Sequence, residues 1–189
     1  MNPGNEIPDS VDFTWKVVLM GAGGVGKTTF LQRYITNEFV ENTLMTIGVS
    51  HTSQYVRRNG HVANLVIWDL GGQDRFKPLH FAYTKGTHLT LLCVDLSDWG
   101  TFEEVDDWID MMRKANGDAH PIILVGTKAD LIQPGIEQKL IAAFDRLCQE
   151  KKLISSIFTS SKLGFNVKET VDYVVDYLVW WTWENSKNA

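Results

Sequence analysis

Apolar and polar positions follow two rhythms along this chain. Val17-Val18-Leu19-Met20 is an apolar run of strand length that stops at a glycine. Lys27 to Ile35 then takes on helical spacing. Ser50 to Arg58 and His61 to Trp68 alternate polar and apolar residues on either side of Asn59-Gly60, a dipeptide suited to a two-residue hairpin turn. Leu89 to Leu96 and Ile122 to Val125 are apolar throughout, as central parallel strands covered on both faces should be. Between them, Val105, Trp108, Ile109 and Met112 recur at helical spacing within Phe102 to Asn116. Ile136 to Lys152 predicts a further helix, with Leu140, Ile141, Phe144 and Leu147 on one face. Ile157-Phe158 predicts a short strand, and Val167 to Trp183 the closing helix. Strand and helix alternate after a single hairpin. That order predicts a three-layer α/β domain: a six-stranded, mostly parallel sheet with one antiparallel edge hairpin and helices on both faces. Residues 1–12 read as an N-terminal tail, 13–183 as the domain and 184–189 as a short C-terminal tail.

Composition narrows the class. The chain has 189 residues, of which 44% are hydrophobic and 22% charged, values that exclude a disordered, collagenous or coiled-coil protein. A net charge of −5 leaves no excess of cations for a phosphate backbone, so no nucleic-acid partner is expected. Cys93 and Cys148 are too few for a disulfide framework and read as free buried thiols in a reducing compartment. No apolar run approaches membrane-spanning length. Residue 2 is Asn and the last cysteine is Cys148, so no lipid anchor is expected and the chain reads as cytoplasmic. His51, His61, His88 and His120 have no metal-ligand spacing and read as surface or strand-edge residues. The seven tryptophans are an excess, and three of them, Trp180, Trp181 and Trp183, stand together near the C-terminus.

The candidate chemistry starts at Gly21-Ala22-Gly23-Gly24-Val25-Gly26-Lys27-Thr28, which fits G-x-x-x-x-G-K-[ST] with a strand before it and a helix after it. Glycines let successive backbone N–H groups converge on phosphate oxygens, and the following helix adds its positive end. Lys27 can neutralise the β- and γ-phosphates, and Thr28 can offer its hydroxyl to Mg²⁺. This loop alone leaves a GTPase, an ATPase and a nucleoside kinase open. Four more segments follow strands or lie in loops that can reach strand ends: Thr46-Ile47-Gly48, Asp69 to Gln73, Thr127 to Asp130, and Ser160-Ser161-Lys162. In an open parallel sheet, ligands bind outside the carboxyl ends of the strands.

With these five segments in order, the chain from Trp15 to about Trp181 resembles the Ras superfamily of small GTPases. The resemblance implies a P-loop NTPase fold, bound GTP or GDP, and Mg²⁺. Gly21 to Thr29 would wrap the phosphates. Thr28, Thr46 and Asp69 would serve the metal, Asp69 through a water. Thr46 and Gly72 would give N–H groups to the γ-phosphate, and Gln73 would orient the attacking water. Lys27, Thr46, Gly72 and Gln73 thus form the catalytic set. Phe39 would pack edge-on to guanine, with Thr127, Lys128, Asp130, Leu131, Ser160, Ser161 and Lys162 completing the base site. Asp130 would accept from guanine N1–H and its amino group, a pattern adenine cannot offer.

Some positions depart from the family pattern. Thr127 stands where most members have Asn, as in Rho-type members. Thr43 and Met45 stand where a tyrosine precedes the switch threonine. Gly71-Gly72 is similar to Arf proteins. A Rab/Ras-like branch and a fungal septation-type branch both fit.

The candidate first switch, Asn37 to Thr46, carries no arginine, and Arg75 is the nearest alternative. Slow intrinsic hydrolysis is therefore expected, with an activating protein supplying an arginine in trans. The resemblance also implies an exchange factor and effectors, meeting residues 37–50 and 71–84. A nucleoside kinase should show an arginine-rich lid, and a nucleotide-locked scaffold should lack Gln73. Along the closing helix, Val171, Val174, Val175, Leu178 and Trp181 predict the buried stripe. Tyr173, Tyr177 and Trp180 form a second stripe, with Trp183 beyond it, read either as a covered aromatic flank or as a partner or dimer contact.

Overall fold

In the computed structural model, residues 8–41, 43–73 and 77–187 are described. Among these residues six strands form one sheet: β1 (Phe13–Met20), β2 (Val49–Arg58), β3 (His61–Leu70), β4 (Leu89–Asp95), β5 (Ile122–Thr127) and β6 (Ser155–Phe158). Their order is β2-β3-β1-β4-β5-β6, and only the β2–β3 edge pair is antiparallel. Five α-helices cover it: α1 (Lys27–Thr36), α2 (Lys77–Thr84), α3 (Val105–Asn116), α4 (Glu137–Lys151) and α5 (Val167–Lys187).

The pleat sorts successive side chains to opposite faces, and the two resulting cores are distinct. Val17 and Leu19 of β1 join Leu91 and Cys93 of β4 beneath α1 and α5, where Phe30, Val171, Val174, Val175 and Leu178 close the layer. Val18 and Met20 join Leu92 and Val94 beneath α3 and α4, where Trp108, Ile109, Met112, Leu140 and Phe144 do the same. β4 and β5 are buried along their whole length, which is why they read as unbroken apolar runs. At the edge hairpin, Arg58 pairs with His61, and Asn59 and Gly60 both take positive φ (52° and 81°), the geometry of a type I′ turn.

Several expectations need correction. The helix expected from Phe102 begins instead as a 3-10 turn, Trp99–Phe102, because the Asp98 carboxylate accepts from the Gly100 N–H at 3.0 Å; α3 starts at Val105. Ile141 is 45% exposed, unlike Leu140 and Phe144, so the apolar stripe of α4 is narrower than its spacing suggests. α5 runs four residues beyond Trp183, so residues 184–187 are helical, and Trp181 is only half-buried beside the buried Val174, Val175 and Leu178. Residue 12 is tied down, since the Asp12 N–H donates to Val62 O at 2.8 Å and its carboxylate accepts from Val62 N–H at 2.7 Å. His120 lies in the interior, sharing a 2.8 Å hydrogen bond with the Thr90 hydroxyl. In the aromatic flank of α5, Tyr177 is half-buried while Trp180 is 56% and Trp183 53% exposed. Both cysteines are free, Cys93 buried and Cys148 half-buried. Among the described residues no helix is long and apolar enough to cross a membrane.

Candidate functional site

The carboxyl ends of β1, β3, β5 and β6 open onto one cavity of about 370 Å³. At its floor, β1 ends at Met20 and the chain turns through residues 21–26 into α1. The turn is possible only with glycine at its start. Gly21 has φ +130°, and a Cβ there would run into the Cys93 carbonyl of the neighbouring strand. Lys27, 5% exposed, bends back over the turn, and its ammonium donates to the carbonyls of Gly21 (2.8 Å) and Ala22 (2.7 Å). Burial lowers its pKa from the ordinary lysine value.

Beside this turn, three oxygen-bearing side chains converge from three separate elements. The Thr28 hydroxyl lies 2.6 Å from the Thr46 hydroxyl and donates to Asp69 Oδ2 at 2.6 Å, and the Thr46 hydroxyl donates to the same oxygen at 3.1 Å. Asp69 ends up fully buried next to the end of β3. Burial raises its pKa, opposed by the hydrogen bond from Thr28 and by the charge of Lys27. Asp69 Oδ1 is buried with no hydrogen-bond partner among the described residues. A buried carboxylate oxygen with spare acceptor capacity, flanked by two hydroxyls, suits a hard divalent cation that keeps its waters. Among the described residues no group of three or more His, Cys, Asp or Glu side chains forms an alternative metal cage. The residues present therefore fit Mg²⁺.

The chain after Asp69 passes close to the floor. A Cβ on Gly72 would collide with the carbonyl of Gly21 and the backbone of Ala22, so the chain can pass this close to the turn only because Gly72 has none. Gly71 N–H donates to Gly48 O at 2.8 Å, tying this segment to the loop that carries Thr46. Gln73 Nε2 donates to Met45 Sδ at 3.5 Å. A Cβ on Gly23 would lie 3.7 Å from both Gly72 O and Met45 Cε.

The opposite end of the cavity is built from the ends of β5 and β6. The Thr127 hydroxyl donates to Val25 O at 2.6 Å and Val94 O at 2.9 Å, linking the end of β5 to the turn after β1. Lys128 takes a positive φ of 56° directly after β5. Asp130 accepts from the Ser160 hydroxyl at 2.5 Å.

Of the residues expected from the sequence, Gly24, Gly26, Lys27, Thr28, Thr29, Phe39, Thr46, Gln73, Thr127, Lys128, Asp130, Leu131, Ser161 and Lys162 line the cavity. Gly21, Ala22, Gly23, Val25, Asp69, Gly72 and Ser160 do not line it. Val25 has its side chain in the core and its carbonyl on Thr127, while Ser160 is fully buried and holds Asp130. Glu41, Thr43, Leu44 and Met45 also line it, from a loop with too little periodicity to be read. Asp95, whose carboxylate pairs with Lys128 at 2.6 Å, was missed as well. The strand-end argument that selects Asp69 applies equally to it. Arg75 falls outside the described residues.

Comparison with known proteins supports the same reading. The sequence model of the Ras family matches residues 16–179. The Ras and EF-hand domain-containing protein of Xenopus tropicalis is 36% identical over 160 residues, covering 83% of this chain and 22% of the relative. The Ras-related protein RABA1b of Arabidopsis thaliana is 37% identical over 128 residues, 68% of this chain and 59% of the relative. The GTP-binding protein Rab-3D of Rattus norvegicus is 30% identical over 178 residues, 94% of this chain and 80% of the relative. The chain thus spans less than two thirds of the length of the first two. The turn at residues 21–26, the Thr28–Thr46–Asp69 cluster and the β5–β6 end of the cavity all fall inside the matched residues, and the chain belongs to the Ras family of small GTPases.

Proposed function

We propose that the chain is a molecular switch that binds guanine nucleotide and hydrolyses GTP to GDP and phosphate with Mg²⁺. The observation that carries this reading is the pairing, in one cavity, of a phosphate end built on Lys27 and the Thr28–Thr46–Asp69 cluster with a base end built on Asp130. Asp130 accepts and cannot donate, so it matches the two donors on the edge of guanine. Ser160 fixes its orientation before nucleotide arrives, which lowers the ordering cost of binding. Lys27 supplies the charge that the β- and γ-phosphates need. Thr28, Thr46 and Asp69 would hold Mg²⁺, whose charge would offset that developing on the transferred group. Gln73 positions the attacking water through its amide.

Effectors and regulators would meet the chain through residues 37–50 and 71–84; of these, Thr43 to Thr46, Gly71 and Gln73 line the cavity, and the Gly71–Gly48 bond couples the two segments. Loss of the γ-phosphate would release Thr46 and Gly72 together, changing the surface offered to effectors. An activating protein would supply the missing arginine and an exchange factor would open the base end. The processes served would be signalling, vesicle traffic or cell division.

The test is direct. The pure protein is loaded with GTP or ATP plus Mg²⁺, and bound and released nucleotide are chromatographed over time. GTP should be turned over in a single turnover at well below about 1 s⁻¹, giving GDP and phosphate. Consumption of ATP, or GTP left intact after hours, would overturn the proposal.

A further inference from the structure

Lys128 reaches the base end of the cavity on a long, rotatable stem, yet its ammonium does not float free. Asp95, 5% exposed at the end of β4, holds it at 2.6 Å through Oδ2. The register explains the meeting: Asp95 pairs with Thr127 across β4 and β5, so Lys128 is the next residue along. The other carboxylate oxygen is held independently. Asp95 Oδ1 accepts from the Ser97 N–H at 2.9 Å and from the Ser97 hydroxyl at 2.6 Å. The Asp95 N–H in turn donates to the Thr101 hydroxyl at 3.0 Å. The carboxylate is therefore fixed before it meets the lysine, and its position is set by the loop between β4 and α3.

We infer that Asp95 is a positioning residue for the nucleotide base. By pinning the Lys128 ammonium it holds the aliphatic stem in one rotamer along the base site, so that the protein bears the cost of ordering that stem before nucleotide binds. A free lysine side chain loses much of its rotamer freedom when ordered, and prior ordering converts that loss into affinity. The pair also joins base binding to the surface loop containing Trp99, which is 56% exposed. A contact that shifts Ser97 or Thr101 would loosen Asp95, then Lys128, and speed nucleotide release without touching the phosphate end.

This inference rests on the guanine-nucleotide reading of the cavity, and the experiment keeps the two apart. Release of a fluorescent GDP analogue from the full chain with Mg²⁺ is followed by stopped flow for the wild type, D95N, D95A, K128M and the D95A/K128M double variant. Loss of a charge-assisted hydrogen bond should make D95N and D95A release nucleotide about tenfold or more faster. If Asp95 acts through Lys128, the double variant should release no faster than K128M, a non-additivity that a merely structural strand-end carboxylate would not produce. D95N, which keeps the shape of the side chain, decides the matter if D95A does not fold. Release from D95N at the wild-type rate, or a double variant whose acceleration is the product of the two single effects, would overturn the inference. A wild-type protein that retains no GDP analogue would overturn the guanine reading instead.

Discussion

Single residues in this molecule are governed by what they lose on burial. His120 is the clearest case. It is 7% exposed, bonded to Thr90 through Nε2, and its pKa falls from 6.5 to about 4, chiefly through burial and then through the charge of Arg113. Its folded pKa lies below its unfolded value, so between about pH 6.5 and 4 the unfolded chain binds a proton that the folded chain refuses. Stability is therefore full above pH 6.5 and drains away as pH falls through that window. The shift corresponds to about 3 kcal/mol at its limit. Urea denaturation of the wild type and of H120Q at pH 7 and pH 5 should show the wild type losing more stability than the variant. Equal losses would mean that His120 is not what senses the acid. Asp69 and Lys27 are buried as well, but each has the other nearby, with the Thr28 hydroxyl added at Asp69.

Elements are joined here by a few polar contacts whose worth can be isolated. The tip of the β2–β3 hairpin is latched to α5: Arg58 donates to both oxygens of Asp176 at 2.6 Å, lies 3.4 Å from Asp172, and Asn59 donates to Asp176 at 2.9 Å. The same strands carry Asp69 at one end and this latch at the other. In R58A, amide hydrogen exchange should speed up in residues 56–63 while β1 and β4 stay protected; unchanged exchange at the tip would show the latch to be idle. The elements themselves were legible wherever periodicity is strong. β4, β5 and α3 are buried as their apolar spacing requires, and Asn59-Gly60 makes the turn expected of it. Boundaries failed where a local polar contact outvoted periodicity, as at Asp98 before α3. They failed also where α5 outruns its apolar stripe: Thr182, Asn185 and Ser186 read as a polar end, yet within the helix each places its side-chain donor on the carbonyl four residues earlier.

At the scale of the whole molecule, ligand binding and folding should be one equilibrium, because the cavity draws on loops from nearly every strand end. A guanine nucleotide that binds only the folded chain stabilises it by about 2.7 kcal/mol at a hundredfold excess over Kd, equivalent to a rise of roughly 5–10 °C in Tm. Thermal denaturation should show that rise with GDP and Mg²⁺, little with ADP, and loss of most of it with EDTA. A rise with ADP equal to that with GDP would count against Asp130 as the reader of the base. Much of the site could be named in advance because its parts are short, local and chemically demanding. A phosphate turn needs its glycines, its lysine and its threonine in sequence, and a period of two or 3.6 shows in a linear string. Asp95 on Lys128, Ser160 on Asp130, Thr127 on Val25, and Gly72 packed against Gly21 are different in kind. Each joins residues far apart in the chain through a distance of a few ångströms, which exists only after the strands take the order β2-β3-β1-β4-β5-β6 and bring their carboxyl ends together.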